Sequence, residues 1–189
     1  MHRRHFVLGA LGAFLVDDVL AQVGRMRGPA LINGQPAKSG QAVRAGDKVV
    51  TGPAADIVFV TGRDAMLVRQ NSNLALAEDG FRLVTGAVLG VFAPRERKNL
   101  HTLTATIGIR GTAVYLESER TRTYVCTCYG ETVLEPADDS SARETVHPKL
   151  RHEHPRYILA RGAPRMVTPA PMLNHTDAEI ELLQKLLPK

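Results

Sequence analysis

The stretch ADIVFVTGRDAMLVRQ, Ala55 to Gln70, decides how the chain is read. Ile57-Val58-Phe59-Val60 is a run of β-branched and aromatic residues, Gly62-Arg63-Asp64 supplies turn chemistry, and Met66-Leu67-Val68 is a second apolar run. Two short β-type runs joined by a glycine-containing turn predict a β-hairpin. Neither run alternates with polar residues, so both faces of this hairpin are expected to be covered and two layers are needed.

The pattern continues on both sides. Upstream, AVRAGDKVVTG (Ala42 to Gly52) sets a Gly46-Asp47 turn before Val49-Val50. Downstream, LALAEDGFRLVTGAVLGVFA (Leu74 to Ala93) places Asp79-Gly80 as a turn, with Gly86 and Gly90 as further breaks. Turn signals recurring every ~8–12 residues predict an all-β domain. An antiparallel β-sandwich or roll of short strands fits, as does a short β-helix, with one amphipathic helix at the C-terminus. That helix is HTDAEIELLQKLL, with Thr176 as N-cap and Glu179 at capping-box spacing. Ile180, Leu183 and Leu187 fall on one face of it, and Leu182 and Leu186 widen that face.

Residues 1–21 read as an export signal. Arg3 and Arg4 precede an apolar run from Val7 to Val16 that is too short for a membrane anchor, and Val19-Leu20-Ala21 resembles a signal-peptidase site. RRHF (Arg3 to Phe6) also fits the core of a twin-arginine signal, which would carry the chain across already folded. The expected product is a periplasmic protein cleaved near Ala21, with no transmembrane anchor in the mature chain. The formal net charge of +5 is unchanged by removing residues 1–21, because two arginines and two aspartates leave together. The basic residues are scattered and aromatics are few, which argues against nucleic acid as partner. The organisation expected is a β domain over residues 22–135, then a polar loop, a returning strand and a proline-rich connector over 136–175, then the helix over 176–187. RYILA (Arg156 to Ala160) is the returning strand.

YVCTCYGE (Tyr124 to Glu131) holds the only two cysteines, Cys126 and Cys128. It lies on the second arm of a hairpin turning at Glu119 to Arg122. A two-residue Arg120-Thr121 turn would set Tyr115 opposite Cys126 and Ala113 opposite Cys128. Side chains two apart on a strand share a face, with Cβ atoms ~6.6 Å apart at ~3.3 Å rise per residue. A disulfide needs ~3.8 Å, so only a kinked backbone would permit one. Three readings stand side by side: two small side chains packed under a sheet, a strained and reducible disulfide, or half of a metal site. For the last, His147, His152 and His154 cluster within eight positions, and His152-Glu153-His154 repeats the cysteine spacing. Thiolates and imidazoles together suit zinc, copper or iron. No nucleophile elbow, phosphate loop or His-Glu-x-x-His motif is present, so the chain is expected to be non-catalytic.

The segment from Gly34 to Leu76, with its Gly-Asp turn, Thr-Gly, strand, second turn and asparagine-containing stretch, resembles the opening of a FecR domain. TATIGIRGTAVYLE (Thr104 to Glu117) resembles the same family's Arg-Gly-Thr signature, here Arg110, Gly111 and Thr112, and GETVLEP (Gly130 to Pro136) its closing strand. The resemblance runs from Gly28 to about Glu135. It implies a periplasmic binding or sensing module acting through a protein partner in the periplasm or at the membrane. In that family the module couples an outer-membrane transporter to a sigma factor. The cytosolic anti-sigma segment and its membrane helix have no counterpart in this sequence. In the signature, Gly111 is expected at a bend between strand segments. Arg110 is expected to hold a buried carboxylate or carbonyls.

Overall fold

The computed structural model describes residues 22–188. The export signal read over residues 1–21 lies outside them. The described chain is built almost entirely of strand, with one C-terminal helix. Its strands in chain order are β1 (Val23–Arg27), β2 (Ala30–Ile32), β3 (Gln35–Pro36), β4 (Lys48–Thr51), β5 (Asp56–Thr61), β6 (Asp64–Val68) and β7 (Asn73–Ala77). Then follow β8 (Gly80–Val91), β9 (Arg97–His101), β10 (Ala105–Ser118), β11 (Arg122–Pro136), β12 (Glu144–Val146), β13 (Arg156–Leu159) and β14 (Val167–Pro169). The helix α1 spans Asp177–Leu186.

The opening hairpin is β5 and β6, which pair antiparallel with Thr61 opposite Asp64. Asp64, read as part of the turn, opens β6 and is buried, held by the Lys98 ammonium at 3.0 Å and the Ala93 N–H at 3.0 Å. Among the described strands all pairs are antiparallel except β8 with β9. Three long strands link the two layers. The first half of β8 pairs with β7 and its second half with β6 and β10. The first half of β10 pairs with β9 and its second half with β8. The change of partner in β10 falls at a bulge between Arg110 and Ala113. Gly111 takes φ +60 there, and a Cβ on it would stand 3.0 Å from the Pro94 Cα, so glycine is required at the bend.

These bent strands enclose one core of Val49, Phe59, Leu83, Leu116 and Val125, joined from the C-terminal part by Val146, Ile158 and Val167. A second core lies on the opposite face of β5, β6 and the paired halves of β8, β10 and β11. Leu67, Leu89, Tyr115, Tyr124, Cys126 and Cys128 meet Ile180 and Leu183 of α1 there. Both faces of the opening hairpin are covered, as its unbroken apolar runs require. Thr176 caps α1 in a full capping box with Glu179.

The stretch from Pro136 to Pro155, read as a polar loop, carries a short 3-10 turn over Ser140–Ala142 and the strand β12. RYILA provides β13, and the proline-rich connector contributes β14. Among the described residues no helix is long and apolar enough to cross a membrane.

Candidate metal centre

The hairpin of β10 and β11 places the thiols. Its turn is Arg120-Thr121, closed by the Glu119 N–H donating to the Arg122 carbonyl at 2.9 Å. Tyr115 lies opposite Cys126, as the two-residue turn predicts. Ala113 lies opposite Tyr129 rather than Cys128, because the register shifts between Val114 and Ala113 and leaves Cys128 as the extra residue on β11. Cys126 and Cys128 are free thiols, fully buried, and point to the same face. Val125 between Tyr124 and Cys126 faces the first core instead, as strand alternation demands.

Two histidines from the C-terminal part meet them. His152 sits in the turn between β12 and β13 at φ +62, and its N–H donates to the Cys128 carbonyl at 3.3 Å. Its Nδ1 lies 3.7 Å from Cys126 Sγ. His175, buried and stacked on Tyr115 at 4.5 Å between ring centroids, immediately precedes the N-cap of α1. One ligand atom from each of Cys126, Cys128, His152 and His175 lies within 4.8 Å of the others.

The outer contacts fix the tautomers. His175 Nδ1 lies 2.5 Å from the Leu173 carbonyl oxygen, which can only accept, so Nδ1 carries the proton. His152 Nε2 lies 3.2 Å from Asp177 Oδ1, so its proton is there. Asp177 is held below the usual carboxylate range by the Arg151 guanidinium and then by His152. In neutral rings the inner nitrogens, His152 Nδ1 and His175 Nε2, are both acceptors, and they stand 3.0 Å apart. Two acceptors so close repel unless a cation joins them.

The thiols are poised unequally. The Cys126 thiol is pulled down to about 5, chiefly by the hydrogen bond from Cys128 and then by the two histidines, against the effect of burial. Cys128 is pushed up, because it donates to Cys126 and is buried. In a tetrahedral zinc site, bonds of about 2.3 Å to sulfur and about 2.0–2.1 Å to nitrogen put neighbouring ligand atoms about 3.3–3.8 Å apart. The observed 3.7 Å from sulfur to nitrogen falls within that range, the 3.0 Å from nitrogen to nitrogen lies below it, and the four ligand atoms together lie within 4.8 Å.

The remaining sequence-selected residues lie elsewhere. His147 is 69% exposed, with Nδ1 3.9 Å from Glu131. His154 is exposed at φ +55. His152 and His154 both take left-handed backbone in a turn, so they share no strand face and only the first reaches the thiols. Arg110 is exposed opposite Arg97, and among the described residues it forms no ion pair with a buried carboxylate. Thr112 is buried and its hydroxyl donates to the Glu131 carbonyl at 2.9 Å. His175 was not singled out by the sequence, where it reads as the residue before a helix cap. Its signal was its place beside a capping box that must dock on the thiol-bearing face.

No protein-family profile and no curated protein matches the chain. Two crystal structures of a candidate anti-sigma factor from Parabacteroides distasonis ATCC 8503, at 1.65 and 2.50 Å resolution, are similar to it at 11% identity each. Their TM-scores are 0.46 and 0.40, covering 69% and 75% of this chain. The chain spans 58% and 59% of their lengths, less than two thirds of either.

Proposed function

We propose that this chain is a metal-binding β domain whose Cys126, Cys128, His152 and His175 hold one divalent transition ion, zinc by preference. The observation that carries the reading is the pair of inner imidazole nitrogens facing each other at 3.0 Å beside two buried thiols. Two thiolates and two neutral imidazoles around a divalent ion give a centre of zero net charge. A monovalent ion would leave a net charge in a buried, largely apolar cluster, which is costly. Four protein ligands close the coordination sphere, the arrangement of structural rather than catalytic zinc. Asp177 and the Leu173 carbonyl supply the outer hydrogen bonds that orient the two rings.

The surrounding domain is best understood as a non-catalytic, exported module that acts by binding a protein partner. The sequence resemblance of Gly34 to Leu76 and Thr104 to Pro136 to FecR domains supports this setting. The reading is tested by elemental analysis of the untagged protein recovered from the periplasm. One equivalent of zinc is expected in the wild type, and none after Cys126→Ser with Cys128→Ser. A wild-type protein that is folded and metal-free would leave a shared proton as the cation between the histidines, and would overturn the metal reading.

A further inference from the structure

The two thiols and the two imidazoles reach the centre from parts of the chain with different anchoring. Cys126 and Cys128 belong to β11, which pairs with β10 over most of its length and with β13 from Arg122 to Val125. His175 belongs to the segment after β14, which lies across the outside of the second core. That segment contributes nothing to the first core, whose last members are Ile158 and Val167. Its own hold on the sheet is narrow. Ile180 and Leu183 are buried, with Leu173, Leu186 and Leu187 packed at their margin. Tyr124 Oη donates to the Pro171 carbonyl at 3.0 Å and accepts the Leu173 N–H at 3.1 Å. Arg69 bonds Glu179 at 2.7 Å and the Asn174 carbonyl at 3.1 Å, and Gln184 donates to Tyr129 Oη at 3.1 Å. A ten-residue helix has little stability of its own and depends on such docking.

From this geometry we infer that the bound ion is a clasp that docks residues 170–187 on the β body, so that metal occupancy sets whether this segment is ordered. The inference rests on the metal reading above and adds a conformational consequence to it. With the ion in place, His175 is tied to β11 through the thiolates. Without it that tie is lost, and His175 keeps only its stacking on Tyr115 and the bond of its Nδ1 to the Leu173 carbonyl within its own segment. Leu173 and Asn174 move with it. Both Leu173 N–H and the Asn174 side chain are anchoring contacts, the latter donating to Glu117 at 2.7 Å. The pairing of the strands is kept, because the first core is complete without the segment, while the second core loses Ile180 and Leu183. Local opening of a peripheral unit over an intact core is an ordinary mode of protein motion.

The movement also reshapes a cleft of about 770 Å³ lined by Arg69, Tyr115, Glu117, Arg120 and Asn174. Its charges are largely matched within the protein: Arg27 to Asp56 at 2.7 Å, Arg69 to Glu179, and Glu117 to Tyr115 Oη and Asn174. The cleft therefore specifies no ligand class by itself, and its wall at Asn174 exists only while the segment is docked.

Hydrogen–deuterium exchange on the full chain tests the clasp, comparing zinc-loaded protein with protein stripped by a strong chelator, with zinc content measured on both. Amides from Leu173 to Leu187 are expected to exchange at least tenfold faster without zinc, while those of β8, β10 and β11 keep their protection. His175→Ala, which leaves the β11 thiols in place, is expected to show the fast pattern with or without added zinc. Zinc bound at one equivalent with equal protection in both states would overturn the clasp and leave the metal site standing. So would wild-type protection in His175→Ala, or loss of protection throughout the sheet on stripping. A wild-type protein that takes up no zinc overturns both readings at the first step.

Discussion

His152 Nδ1 and His175 Nε2 stand 3.0 Å apart, each ring having its other nitrogen committed to an oxygen acceptor. The pair comes from two separate segments, and it converges on the Sγ of Cys126 and Cys128.

The histidines should divide sharply. His175→Ala is expected to weaken zinc binding by at least about 100-fold, since even outer-sphere changes cost about 10–100-fold. His147→Ala and His154→Ala, both at exposed positions, should leave affinity within experimental error. Competition with a chromophoric zinc chelator measures all three. Equal losses at His154 and His175 would contradict the ligand assignment.

In zinc-free protein the two thiols should titrate far apart. Cys126, drawn down to about 5, is expected to show thiolate absorbance at neutral pH, and Cys128, pushed up, is not. A lowered acid contributes stability that is fully present above the ordinary thiol value of 9.0 and is lost as pH falls through about 5. The raised Cys128 works in the opposite sense, costing stability as pH climbs past that ordinary value. Because the Cys128 hydrogen bond is the leading cause, Cys128→Ala should move the Cys126 titration upward, whereas Cys128→Ser, which keeps a donor, should not.

Asp177 acts through His152. Asp177→Ala removes the acceptor at 3.2 Å from Nε2 and should lower zinc affinity by about 10–100-fold without changing the stoichiometry. Asp177→Asn retains an oxygen acceptor and should recover most of the loss. Isothermal titration with zinc separates the two variants, and identical affinities for wild type and Asp177→Ala would remove the residue from the centre.

Gly111 tests the bend rather than the site. Alanine there would occupy left-handed backbone and press on Pro94, costing about 1–3 kcal/mol. Urea denaturation should register the loss, while each folded molecule still binds one equivalent of zinc. A variant as stable as wild type would show that the bulge can relax.

Much of this was legible from local chemistry. Unbroken apolar runs around Gly62-Arg63 required cover on both faces, and the capping box at Thr176 and Glu179 placed α1. Strand alternation put both cysteines on one side, and the turn between Glu119 and Arg122 set Tyr115 against Cys126. The register failed at Ala113 because a bulge adds residues to one strand only, and nothing in the spacing counts them. His152-Glu153-His154 imitates strand spacing, but positive φ at both histidines makes it a turn. His175 could be found only by knowing which face α1 covers, which is information held between distant segments.

The order of Cys126, Cys128, His152 and His175 along the chain has a kinetic side. The β10–β11 hairpin is local in sequence, so its strands can pair early, while contacts spanning longer separations form later. Both thiols would thus be aligned before either imidazole could shield them, and His175 would arrive last. In that interval the half-built site offers two adjacent sulfurs to any oxidant or stray thiophilic ion. A compartment in which the chain completes its folding before meeting oxidants would spare the cysteines, and the yield of intact centre should depend on where, as well as whether, the last segment closes.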